Sequence, residues 1–138
     1  MKIVINTDYG GFGLSYRAMM EYAKRKGFRL YAYVSAKDSK GKFFIDKYIP
    51  YRGGKRFCIH YSKNPLTKTG KRAKKGHFCD YDIKRNDPDL IYIVQKMKKK
   101  ANGEHATLKI VTIPDNINFH IEEHNGIELI AEDHRTWS

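Results

Sequence analysis

The sequence predicts a small domain of the α/β or α+β class, with two helices and a mixed sheet of about five to seven strands. Three observations carry this expectation. The chain opens on a β-branched run, Lys2–Asn6, that passes through glycines into a helical pattern. Asn86-Asp87-Pro88-Asp89 reads as the start of a second helix. Asn125-Gly126 stands between two β-rich runs and marks a C-terminal hairpin. The 138 residues and 41% apolar content are enough for one domain with a core over 1–138.

The elements follow in order. After the first strand, Tyr9 to Leu14 is a glycine loop, and Ser15 is a natural N-cap for a helix over about 16–26 that closes on Gly27. Ala18, Met19, Tyr22 and Ala23 recur at helical spacing and form its buried face. Phe28 to Val34 alternates as a second strand, so this opening would be a right-handed crossover if the two strands are parallel. Phe43 begins an aromatic segment, and Phe57–Tyr61 and His77–Tyr81 are short strand candidates. Between these two, residues 62–76 have only Leu66 and Ala73 as apolar side chains, which predicts a mobile basic loop or arm. Asp87 caps the second helix and Pro88 suits its first position, while Lys96 and Lys98–Lys100 crowd its last turn. Residues 107–113 form a further strand, stopped by Pro114. With Asn125-Gly126 as a type I′ turn, Phe119, Ile121 and Ile130 share one face of the hairpin.

Charge is uneven. The net charge is +12, and fifteen of the 27 Lys and Arg lie between Lys37 and Arg85, whereas the tail from Ile110 holds one cation against six acids. A basic middle beside an acidic end points to an anionic partner, or to solubility with the acidic end as an internal counter-charge. No apolar run reaches 18 residues and the N-terminus is not a signal sequence, so no membrane partner and a cytoplasmic location are expected. Two cysteines in such a chain suggest thiols or metal ligands rather than a disulfide.

Two stretches carry chemistry by composition. The basic residues Arg52, Lys55, Arg56, Lys63, Lys68, Lys71, Arg72, Lys74 and Lys75 lie among aromatics including Tyr48, Tyr51, Phe57, Tyr61, Phe78 and Tyr81. Cations neutralise phosphates and exposed rings stack on bases, which predicts nucleic-acid binding unless those rings fill the core. Cys58-x-His60 and His77-x-Cys79 place two thiols and two imidazoles on candidate antiparallel strands, an alternative zinc site of unusual spacing, and no other cofactor is expected.

The segments Val4-Ile5-Asn6 through Gly10-Gly11-Phe12-Gly13-Leu14-Ser15, Arg85 to Ile91, and Leu108 through Glu132-Asp133-His134-Arg135-Thr136-Trp137 resemble a group of small proteins encoded by tailed bacteriophages. The resemblance covers roughly the first 30 and last 55 residues, and the lysine-rich centre departs from it. It implies a phage-encoded accessory protein inside the infected host cell and no mechanism; with the glycine loop and the +12 charge, it makes host takeover or counter-defence the expected role.

The glycine loop before a helix N-terminus can hold an anion, or its glycines can serve only a tight turn. On the first reading a nucleotide-like ligand is bound by Gly10, Gly11, Gly13, Ser15, Arg135 and Trp137, the arginine clamping phosphate and the tryptophan stacking on a base. On the second, Trp137 pins the chain terminus and His134 and Arg135 pair with Glu132 or Asp133. The sequence lacks HxxH, HExxH, Gly-x-Ser-x-Gly and Cys-x-x-Cys. A binding protein without catalysis is therefore the first expectation. A metal-dependent nuclease or nucleotide hydrolase using Asp8 and His134, and a protein inhibitor of a host factor, are the alternatives.

Overall fold

The structure is a computed structural model that describes residues 1–54 and 58–133. It is a small α+β protein whose chain forms two compact units, residues 1–22 with 83–138 and residues 23–82.

In the first unit, β1 (Lys2–Asn6) pairs antiparallel with β6 (Leu108–Thr112), with Val4 opposite Ile110. Helix α1 (Tyr16–Lys26) begins in this unit and helix α2 (Pro88–Met97) lies wholly within it. Ser15 caps α1 as expected, its Oγ accepting from Ala18 N at 3.2 Å. Asp87 caps α2, accepting from Asp89 N at 2.8 Å with Pro88 in the first turn. A short 3-10 turn, Lys98–Ala101, then tightens the end of α2. β7 (Phe119–His124) and β8 (Ile127–Glu132) form the hairpin, with Ile121 opposite Ile130 and only Asn125-Gly126 between the strands. Both turn residues have positive φ, 53° and 89°, as a type I′ turn requires. Ile3, Val4, Met19, Leu90 and Ile93 fill the core of this unit at 0–2% exposure.

The second unit is a four-stranded antiparallel sheet. Its strands are β2 (Tyr31–Lys37), β3 (Phe43–Pro50), β4 (His60–Ser62) and β5 (His77–Phe78), in the order β3-β2-β4-β5. Leu30, Tyr33, Val34, Tyr48, Tyr61 and Phe78 are its large buried apolar residues. β2 and β3 pair regularly from Tyr33 to Ser35, then Lys37 pairs with Phe43. Ala36 alone thus faces the four residues 44–47, a large bulge with Asp46 at φ 57°.

Two expectations change. β1 and β2 belong to different sheets, so no parallel crossover forms, and every strand pair among the described residues is antiparallel. The eight strands among the described residues occupy three sheets rather than one mixed sheet. No helix among the described residues is long and apolar enough to cross a membrane.

Candidate functional site

The glycine loop packs against the hairpin turn. Gly10 and Gly11 adopt φ 102° and 96°, and a Cβ on Gly126 would stand 2.3 Å from Gly11 N and 2.6 Å from Gly10 N. Only hydrogen atoms fit there. On its other side, a Cβ on Gly103 would stand 2.7 Å from the Gly13 carbonyl carbon, and Gly103 N donates to Gly13 O at 2.8 Å. The close approach thus demands glycine at 126 and 103, and in the loop itself a Cβ on Gly10 would stand 2.6 Å from the His105 Cβ.

A polar network fixes this contact from beneath. Asn6 is fully buried. Its Nδ2 donates to Asp8 O and to Gly126 O, each at 2.7 Å, and its Oδ1 accepts from Thr107 N at 2.9 Å and Asp8 N at 3.2 Å. Every side-chain polar valence is used, which is what permits an amide in a core. Beside it, Arg85 grips Glu128 bidentately at 2.6 and 2.8 Å, and Glu128 Oε1 also accepts from Asn6 N at 2.8 Å. The guanidinium carbon lies 3.5 Å from the centre of the Phe12 ring. Arg85 and Glu128 escaped the sequence reading. Their only signals were an arginine just before a helix start and a glutamate just after an Asn-Gly turn.

The other expected ligand residues fall as follows. Ser15 Oγ donates to Lys100 O at 2.6 Å besides capping α1. Asp8 accepts from Tyr9 N at 2.8 Å and from Thr107 Oγ1 at 3.1 Å. His134, Arg135 and Trp137 lie outside the described residues.

The cysteine and histidine pairs do not converge. β4 and β5 pair Tyr61 with Phe78 and Ser62 with His77. Continued, that register sets His60 across from Cys79 but leaves Cys58 and His77 at opposite ends of the pairing. No group of three His, Cys, Asp or Glu among the described residues is placed to hold a metal ion. His60 instead stacks on Tyr33, with ring centres 5.8 Å apart, and meets the edge of Tyr48 at 5.4 Å. Burial, and then the Arg72 charge, push its pKa below the ordinary value, so it is a neutral ring at pH 7. Burial likewise raises the Cys79 thiol, which donates to Asp80 Oδ1 at 3.4 Å.

The positive charge is segregated. Residues 23–82 hold seventeen Lys and Arg against four Asp, a net +13, while the other unit holds ten cations against eleven acids, a net −1. Arg52, Lys63, Lys68, Lys71, Arg72, Lys74 and Lys75 are all exposed, and Lys55 and Arg56 lie outside the described residues. The expected arm has fixed turns. Thr67 N and Oγ1 bond the Lys71 backbone at 2.9 and 3.1 Å, Asn64 Nδ2 donates to Lys75 O at 2.8 Å, and Gly70 O accepts from Tyr48 N at 2.8 Å. Polar side chains and backbone hold this segment without an apolar core.

Aromatic surface accompanies the charge. On the bulged strand, Phe43, Phe44 and Ile45 are 53%, 42% and 92% exposed. Lys37 and Lys47 each place their ammonium 4.8 Å from a ring centre, of Phe43 and Phe44 respectively. Arg72 stacks on Tyr48 at 4.8 Å and donates to its hydroxyl at 2.6 Å. This tyrosine lines two clefts of about 400 and 410 Å3, one walled also by Tyr31, Pro50, Pro65 and Leu66, the other by Asp46, Lys71 and Arg72.

No family model, curated protein or solved structure matches this chain. The chemistry open to the second unit is that of its own residues: many cations, exposed rings, and shallow clefts of a size for single bases.

Proposed function

We propose that this is a phage-encoded accessory protein of host takeover or counter-defence that binds nucleic acid without catalysis. It acts in the cytoplasm of the infected cell, on free nucleic acid or on a host nucleoprotein complex. The observation that carries the reading is the confinement of a +13 charge to residues 23–82, beside exposed Phe43 and Phe44. Phosphates are neutralised by the exposed lysines and arginines, and bases stack on rings that already carry ammonium groups.

The test is fluorescence anisotropy with single-stranded DNA and RNA over a salt series. If about six phosphates are neutralised, raising salt from about 50 to 200 mM weakens binding about 300-fold. Lys71→Glu with Arg72→Glu lowers affinity for all sequences alike. Phe44→Ala lowers it about tenfold with little change in salt slope. No binding at the lowest salt, or affinity indifferent to salt, would sink the proposal.

A further inference from the structure

We infer that the cleft between α1 and α2 binds a nucleotide. This site belongs wholly to the first unit and does not rest on the nucleic-acid reading of the second. The cleft measures about 670 Å3, within the range of sites for small ligands.

Its walls suit a base. Tyr16 and Tyr92 line the cleft and stay 36% and 41% exposed. Met20, Ile93 and Met97 give it an apolar lining that, through the two thioethers, can shape itself to a flat ring. Its charge suits phosphates. Arg17, Lys96 and Lys100 line the cleft with a single acid, Glu21, in a unit that is slightly acidic overall.

Lys96 and Lys100 near the end of α2 could serve the helix dipole alone, but Arg17 cannot. It stands in the first turn of α1, which contains no acid, where a cation opposes the dipole. An anion bound beside Arg17 relieves that local conflict. Lys96 already lies 5.6 Å from the Tyr92 ring centre, so charge and ring surface are contiguous. In the bound state the base stacks on the tyrosine rings against the methionine lining. The phosphates lie along Arg17, Lys96 and Lys100, and Glu21 accepts from the ribose hydroxyls.

A free nucleotide and the phosphorylated end of a strand present the same groups. Titration calorimetry with ATP is the direct test. It should give one site per chain, with Tyr92→Ala and Lys100→Ala each weakening binding about tenfold or more. The double variant Lys71→Glu, Arg72→Glu in the other unit should leave ATP binding unchanged. Tyr92 and Lys100 are exposed, so both variants keep the fold, and circular dichroism checks this. In that double-variant background, tighter binding of a 5′-phosphorylated than a 5′-hydroxyl oligonucleotide assigns the site to strand ends. Equal binding of the two assigns it to free nucleotides. The inference is overturned by no saturable ATP binding up to about 5 mM, by inorganic triphosphate binding as well as ATP, or by binding lost in the Lys71/Arg72 variant and insensitive to Tyr92→Ala.

Discussion

Removing the Glu128 carboxylate should undo the first unit. The side chain is 4% exposed and its partner Arg85 is 15% exposed, so water screens the pair little. Glu128→Ala deletes two charge-assisted bonds from Arg85 and the acceptor for Asn6 N, and it strands a guanidinium among buried groups. Breaking a buried pair from one side costs about 3–5 kcal/mol, most of it the unpaired charge. Spread over the unfolding entropy of 138 residues, that lowers the melting temperature by about 10–17 °C. Thermal and urea unfolding followed by far-ultraviolet circular dichroism measure it. Arg85→Ala should cost a similar amount, and the double variant little more than either single one, because the pair acts as a unit. Arg85→Lys should not rescue, since lysine neither forks onto the carboxylate nor stacks flat on Phe12. A loss below about 1 kcal/mol, the range of exposed pairs, or simple additivity of the two single variants, would refute this reasoning.

Gly126→Ala should be at least as damaging. Its Cβ would enter the glycine loop at a positive φ of 89°, and the atoms it meets are backbone that cannot swing aside, so little folded protein should be recovered. Asp87→Ala removes the α2 cap and the acceptor of Tyr22 Oη at 2.8 Å, and should cost about 2–3 kcal/mol in urea unfolding. Asn at this position should recover most of the loss. His120 is flanked by the Asp133 and Glu122 carboxylates, which raise its pKa above the ordinary 6.5. The folded state therefore holds this proton more tightly, and the resulting stabilisation is full below about pH 6.5 and lost as pH rises through the folded pKa. An NMR titration should place the His120 midpoint above 6.5 and Asp133→Asn should move it back, whereas a midpoint at or below 6.5 in the unaltered chain would contradict the geometry.

Local signals proved sufficient where an element is built from its own neighbours. Ser15 and Asp87-Pro88 start helices because their side chains and ring act within one turn, and Asn125-Gly126 turns the hairpin because both residues accept positive φ. Pairing was hidden where partners are distant. β1 finds β6 across about a hundred residues, and nothing in Lys2–Asn6 distinguishes that partner from β2. Glu128 read as one more acid of an acidic tail, although it shares the inward face of the hairpin with Ile121 and Ile130 and is buried against Arg85. The charge of the middle segment was visible from composition. The boundary between a +13 unit and a −1 unit required the fold, because α1 and its flanking strands divide between them.

The bulge in β3 bears on how the protein behaves at high concentration. Phe43-Phe44-Ile45 on an edge strand would otherwise offer a flat apolar template for a second copy, the usual route to edge-to-edge stacking. Four residues looped against one break the regular spacing of the strand's outer amides and carbonyls. The Gly70 carbonyl occupies the amide of Tyr48, and Lys42 and Lys47 flank the apolar residues with like charge. A second molecule approaching this edge meets an irregular ladder and electrostatic repulsion, so the strand can keep its rings in water without seeding fibrils.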